Sequence, residues 1–243
     1  MNISVCMATY NGEKYIKEQL TSILEQLDET DEVIIVDDAS SDQTVQIIHQ
    51  FEDNRIKCTK NADNLGHVAT FAKALSLSSN EYIFLSDQDD IWITGRVALM
   101  QETLAQSKTM VLSSNFNLLY PDGRMQDSDE PIYSKNSTTY VQNLARIFRG
   151  KSGYYGCSMV LHRSLLNYIL PIPSYVEAHD FWIIFAANLL KSNMHIDQVT
   201  FTRRIHPNNL SRIITRRSLF KKIKARFFFV RSLIELHNRI QTG

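Results

Sequence analysis

Cysteine is scarce in this chain of 243 residues: Cys6, Cys58 and Cys157 are the three present, odd in number and far apart. That distribution suggests neither a disulfide framework nor a zinc site, and it fits a reducing cytoplasm. No apolar run reaches the length of roughly 20 residues that a membrane-crossing helix needs. The opening Met1-Asn2-Ile3-Ser4-Val5 reads as the start of a strand with no basic segment leading into a long apolar run, so a secretory leader is not expected. Glycine-rich phosphate loops are also missing, since neither G-x-G-x-x-G nor G-x-x-x-x-G-K-[ST] occurs. Their absence weighs against dehydrogenases, P-loop enzymes and sugar nucleotidyltransferases. Internal repeats and low-complexity segments are absent as well.

What is present can bury a sizeable core, with 44% hydrophobic residues in a length most simply read as one domain. The net charge of zero hides an asymmetry. From Arg203 onward there are eleven Lys or Arg and one acid, Glu235, which leaves +10 on the tail and −10 on the preceding 202 residues. A basic tail on an acidic body points to an anionic partner.

The first ninety residues alternate between two periods. Strands are expected at Ile3–Ala8, Val33–Val36, Arg55–Thr59 and Tyr82–Leu85, separated by helices over Glu13–Leu27, Thr44–Phe51 and His67–Leu77. Asp42 is placed to cap the second helix. This βαβαβαβ order predicts an α/β fold with a mostly parallel sheet and right-handed crossovers. Beyond it, the pattern predicts helices over Thr94–Ser107, Val141–Phe148, Ser164–Ile169 and Val176–Leu190, and strands over Met110–Leu119, Ser158–Leu161 and Val199–Arg204. The polar stretch Arg124–Tyr140 reads as a mobile loop.

The most informative stretch is Tyr82-Ile83-Phe84-Leu85-Ser86-Asp87-Gln88-Asp89-Asp90, an apolar strand ending in three acids within four residues. Crowded carboxylates repel one another, and a divalent cation offsets that cost. Oxygen ligands at this density suit Mg²⁺ or Mn²⁺. Ala8-Thr9-Tyr10-Asn11-Gly12 and Asp37-Asp38-Ala39-Ser40-Ser41-Asp42 close two other strands. In a parallel sheet these ends share one rim, where ligands of α/β folds bind. A metal-assisted site for a phosphorylated substrate is therefore expected, although an acid after a strand, such as Asp42, can equally be only a helix cap.

Four segments, in order, resemble family 2 glycosyltransferases of the GT-A fold: Ser4 to Gly12, Val33 to Asp42, Asn64-Leu65-Gly66, and Ser86-Asp87-Gln88-Asp89-Asp90-Ile91-Trp92. The Asp-Gln-Asp-Asp-Ile-Trp wording is most similar to bacterial rhamnosyltransferase-type members that build surface polysaccharides. Gly156 to Arg163 resembles the border of the acceptor site, His179-Asp180-Phe181-Trp182 the segment carrying the catalytic carboxylate, and Arg204 to Ser211 the Arg-x-His-x-x-Asn segment over the donor diphosphate. Arg96 stands where the family usually has Lys. The resemblance implies that Thr9, Tyr10 and Asp38 hold the nucleobase and ribose and that Asp87 bonds the ribose or the metal's waters. It further implies that Asp89 and His206 meet the metal, Arg204 the diphosphate, and that Asp180 is the base. Asp90 is a ligand or a loop brace, and Trp92 and Trp182 are core residues or sugar platforms.

Under that resemblance the chain is an inverting, metal-dependent hexosyltransferase, with dTDP-rhamnose the first donor to consider and a lipid-linked saccharide acceptor. Residues 1–211 would form the catalytic domain, with a nucleotide half near 1–92 and an acceptor half near 93–211, and 212–243 a basic amphipathic tail. Two rivals differ in kind. Asp87-x-Asp89 is also the pattern of haloacid-dehalogenase-like phosphatases, although these usually continue into Gly-Thr, and a non-catalytic sugar-nucleotide-binding protein could tolerate loss of Asp89 and Asp180. In the tail, Leu219, Phe220, Ile223, Phe227, Val230 and Ile234 share one helical face flanked by Lys and Arg. That face either lies on an anionic membrane at the cytoplasmic side or docks on the domain; nucleic acid is not expected, because the acidic body repels it.

Overall fold

The structure, a computed structural model, describes residues 2–151, 153–207, 209 and 219–242, and within the last segment the side chains from residue 223 onward. Its elements run β1 (Ile3–Thr9), α1 (Ile16–Leu24), β2 (Glu32–Asp37), α2 (Thr44–His49), β3 (Ile56–Lys60), α3 (His67–Leu77), β4 (Tyr82–Ser86) and β5 (Ile91–Trp92). They continue with α4 (Arg96–Ser107), β6 (Val111–Leu119), β7 (Met125–Asp127), α5 (Tyr140–Phe148), β8 (Met159–His162), α6 (Leu166–Ile169), α7 (His179–Leu189), β9 (Asn193–Arg204) and α8 (Leu219–Thr242).

One sheet of nine strands organises them, in the order β3-β2-β1-β4-β8-β6-β9-β5, with β7 paired to β6. The N-terminal half is parallel as expected: β2 pairs with β1 and β3, and β1 with β4. The other half makes the sheet mixed, because β8 runs antiparallel to both β4 and β6 and β5 runs antiparallel to β9. Both faces of the sheet are covered, so the central strands read as continuous apolar runs instead of alternating ones. Cys6, Ile34, Val36, Ile83 and Leu85 face α3 and α7, while Val5, Met7, Val33, Ile35 and Phe84 face α1 and α4.

Two expectations are revised. The polar stretch Arg124–Tyr140 holds β7 and a turn of 3₁₀ helix at Ser134–Asn136. It is pinned by Ile132, which is buried and exchanges backbone bonds with the Asn115 amide at 2.9 Å in each direction. The tail forms α8, and it docks on the domain through a different face from the one its composition suggests: Leu236 is fully buried, whereas Ile223, Phe227, Val230 and Ile234 are exposed. Residues 211–218, with the tail cations Arg212, Arg216 and Arg217, lie outside the described residues.

Register decides what reaches the rim. Thr9 aligns with Asp37, and Met7 with Ser86, so β1, β2 and β4 end together. The antiparallel pairing of Ile91 with Thr202 brings the Arg203–Arg204 end of β9 back against the Asp89–Asp90 turn.

Candidate active site

The β1 and β2 ends form a braced platform. Asp37 is fully buried and spends its carboxylate locally, accepting from the Thr9 hydroxyl (2.9 Å), the Ser40 N–H (2.9 Å) and the Ser40 hydroxyl (2.5 Å). Thr9 itself is buried, with its hydroxyl on Asp37 and its carbonyl accepting the Asp38 N–H at 2.8 Å. Asp38 accepts from the Asn61 amide (3.0 Å) and from the N–H groups of Leu65 and Gly66 (2.8 Å each), which holds the Asn64-Leu65-Gly66 loop against the rim. Burial alone would push its carboxyl up, but these bonds outweigh it and hold the group below the usual range. Tyr10 is half exposed, and its backbone is clamped in both directions by the Gln88 side chain (2.9 and 3.0 Å). A side chain at Gly12 would run into the same Gln88 oxygen, which both Tyr10 bonds hold in place.

The β4 end carries the acids, and they divide. Asp89 faces the β9 side: its Oδ2 meets His206 Nε2 at 2.7 Å and accepts from the Asn209 amide at 3.3 Å, and its carbonyl accepts from Arg204 Nε at 3.3 Å. His206 stacks on Tyr15 with ring centroids 4.6 Å apart, and Arg204 also reaches Glu18 at 2.6 Å. Asn208, Leu210 and Ser211 of that segment lie outside the described residues. Asp87 and Asp90 turn the other way, so that one ligand atom from each and the Cys157 sulfur lie within 4.8 Å of one another. Burial first, then the Asp89 charge, pushes Asp87 up to about 6, against the pull of Arg203. Asp90 is raised by burial and by both neighbouring acids. Its Oδ1 accepts the Arg204 N–H at 3.3 Å, but its buried Oδ2 has no hydrogen-bond partner among the described residues.

Asp180 enters on the first turn of α7, where its Oδ1 accepts the Phe181 N–H at 2.8 Å. Burial pushes it up to about 6; the Phe181 bond opposes, the Asp87 charge adds to the rise and Arg203 lowers it. Asp180 thus shares one electrostatic neighbourhood with the β4 acids. Arg203 is buried over the Tyr155 ring (4.8 Å), and its own pKa is raised by the negative groups around it despite burial. Arg203 and Cys157, not singled out from the sequence, join the site through strand register; alternation along β9, which turns Arg203 inward and Arg204 outward, is the local signal for the first. Arg96 is buried between Trp92 (4.8 Å) and Phe201 (5.0 Å) and donates to the Cys157 carbonyl (2.7 Å), fixing the turn that carries that thiol. Trp92 and Trp182 are both buried in the core.

The model of the glycosyl transferase family 2 matches residues 4–170. The dTDP-rhamnosyl transferase RfbG of Shigella flexneri is 29% identical over 218 residues, spanning 84% of this chain and 72% of that protein. The UDP-Glc:alpha-D-GlcNAc-diphosphoundecaprenol beta-1,3-glucosyltransferase WfgD of Escherichia coli is 29% identical over 196 residues, spanning 79% and 70%. The crystal structure of S. aureus TarS 1-349 in complex with UDP-GlcNAc superposes with a TM-score of 0.70 at 21% identity, covering 98% of this chain and 72% of that one. That likeness speaks for the fold, and the family match spans well over half of the sequence. The chain belongs to glycosyl transferase family 2 and is a glycosyltransferase with the GT-A architecture.

Proposed function

We propose that the protein is an inverting glycosyltransferase that moves a sugar from a pyrimidine nucleotide-sugar to a hydroxyl of a lipid-linked saccharide during synthesis of a bacterial surface polysaccharide. The observation that carries this reading is the convergence of Asp180 with the β4 acids and Arg203 in one electrostatic neighbourhood. Two relatives support the substrate class: one is named for dTDP-rhamnose chemistry, the other for transfer from UDP-Glc to a diphosphoundecaprenol-linked sugar. Rhamnose is the first donor to test, and the site of action is the cytoplasmic face of the plasma membrane.

In this reading the nucleobase and ribose lie against Tyr10, Thr9 and Asp38, whose ionised carboxylate suits the imide N–H of uracil or thymine. Arg204 and Arg203 set positive charge beside the diphosphate, which gains negative charge as it leaves. Asp180 takes the proton of the acceptor hydroxyl as that oxygen attacks the anomeric carbon from the side opposite the nucleotide. Its raised pKa makes it a stronger base than an ordinary aspartate while leaving it mostly ionised at neutral pH.

The residues fit a divalent cation, Mg²⁺ or Mn²⁺: Asp87, Asp89 and Asp90 offer hard oxygen donors, His206 beside Asp89 a borderline nitrogen, and one buried Asp90 oxygen has no hydrogen-bond partner among the described residues. When bound, such an ion supplies charge that stabilises the departing diphosphate. Cys157 stays a neutral thiol, because burial raises its pKa well above the usual value.

The test is release of free nucleoside diphosphate from a panel holding dTDP-rhamnose, UDP-glucose and UDP-GlcNAc, with and without a saccharide acceptor. Acceptor-stimulated release from one donor is expected. No release from any donor, together with hydrolysis of small phosphate esters, would overturn the reading in favour of a phosphatase.

A further inference from the structure

Helix α8 has two apolar faces, and one of them is uncovered. Inward, Leu236 is fully buried, and Phe229 meets Phe185 and Phe148 with ring centroids 4.8 and 5.3 Å apart. Outward, Ile223, Phe227, Val230 and Ile234 are 61%, 64%, 49% and 59% exposed. Their spacing of four, three and four residues keeps them in one stripe along the helix. Four large apolar side chains in line on a charged surface mark an interaction face.

Cations held over aromatic rings bracket this stripe on both sides. Arg226 lies over Phe148 at the end of α5 (5.5 Å), and Phe148 is itself 41% exposed, with Arg149 exposed beside it. On the opposite flank Arg231 lies over Tyr175 (3.7 Å), and Lys224 lies over Phe228 (5.0 Å) while reaching Glu177 (2.7 Å). The order across the surface is therefore cation, apolar stripe, cation, with Phe148 widening the apolar part on one side.

We infer that this joint face of α8 and the end of α5 is a membrane-docking surface, which lays its stripe into the headgroup–acyl boundary of a bilayer rich in anionic lipid. The charge pattern selects this occupant. Spacing of four and three also suits a coiled-coil seam with a second copy, but Lys224, Arg226 and Arg231 would then fill the flanking positions, where two cationic edges repel. An anionic lipid surface satisfies the same cations while the stripe leaves water. The inference rests on the lipid-linked acceptor proposed above only for its use to the enzyme. Binding itself is read on vesicles that hold neither donor nor acceptor, so the two can fail separately.

The experiment is flotation of the full chain with phosphatidylcholine vesicles, with and without phosphatidylglycerol. Strong partition to the anionic vesicles and weak partition to the neutral ones is expected. Ile223→Ser, Phe227→Ser and Ile234→Ser combined should lower partition at least a hundredfold. Arg226→Gln with Arg231→Gln should lower it roughly twentyfold. The apolar triple variant should keep the wild-type melting temperature and wild-type nucleoside diphosphate release with a water-soluble acceptor, because its side chains are exposed and away from the site. Equal partition of the wild type to both vesicle types, flotation of the triple variant like the wild type, or a stable dimer in sedimentation that the triple variant abolishes would each overturn the inference.

Discussion

Asp180→Asn isolates the proton-transfer step. The substitution keeps the shape and the bond to the Phe181 N–H, since the amide oxygen can accept it as the carboxylate does. What it removes is the proposed base, a carboxyl whose pKa is about 6, raised first by burial and further by Asp87. At pH 7 such a group is about nine-tenths ionised, so wild-type turnover draws on nearly the full population of active base. Turnover of the Asn variant should fall by about two to four orders of magnitude, while the affinity for nucleoside diphosphate stays almost unchanged. The same reasoning fixes a pH profile. In the wild type kcat/KM should fall about tenfold per unit below pH 6, because the free enzyme's base is then protonated. Arg203 lowers this pKa and Asp87 raises it, so Arg203→Gln should move the acid limb to higher pH and Asp87→Asn to lower pH. Coupled detection of nucleoside diphosphate release gives the rates, and calorimetry gives the affinity. A variant that keeps more than a tenth of wild-type turnover, or a wild-type acid limb near pH 4, would refute the assignment of Asp180 as the base.

Asp89→Asn should fold normally and lose about two to four orders of magnitude of turnover, and EDTA should abolish wild-type activity until Mg²⁺ or Mn²⁺ is restored; full activity in EDTA would count against the ion. Asp87→Asn should raise the melting temperature of metal-free protein at pH 7.5 and leave it unchanged at pH 3. The folded Asp87 titrates near 6 and the unfolded one near 3.8, so the cost of its charge is fully present above pH 6 and absent below 3.8. Calorimetry at the two pH values checks this, and Mg²⁺ should raise the wild-type melting temperature at pH 7.5. Leu236→Ala should cost about 2–5 kcal/mol, because it empties a fully buried site, whereas Ile234→Ser should change stability by less than about 0.5 kcal/mol. Thermal or urea denaturation of the two variants measures the difference.

The first half of the fold was legible because its strands are covered on both faces and its helices on one, so β1, β2, β4 and α3 each carry an unbroken signature. The second half depends on pairings that leave little local trace. β8 enters between β4 and β6 against their direction, and β5 has only two residues, too few to show a period. Ile132 is a single apolar residue in a polar stretch, and only the distant Asn115 makes it an anchor. In the tail, periodicity located a stripe correctly but could not say which stripe faces inward, because Phe229 and Leu236 stand in a run apolar on more than one side. The acids after β4 stood out by residue type and position, whereas Asp180 was singled out only through the resemblance of His179-Asp180-Phe181-Trp182 to the segment carrying the catalytic carboxylate. Arg203 and Cys157 were not, since their nearness to the acids exists only once β9 and β8 have found their registers.

The pairing of β5 with β9 has a consequence for the order in which the molecule completes itself. Arg204 meets Asp90, and His206 meets Asp89, across 114 and 117 residues of chain. Contacts at that separation form late, because the intervening chain must be ordered before they can close. During synthesis from the N-terminus, the β4 acids emerge long before the strand that carries their counter-charges. A nascent chain can assemble β1 to β4 and their helices while these carboxylates remain open to solvent and hydrated. The arrival of β9 then closes the charge cluster and adds the last central strand of the sheet in one event. The charge cluster is therefore complete only once β9 has paired.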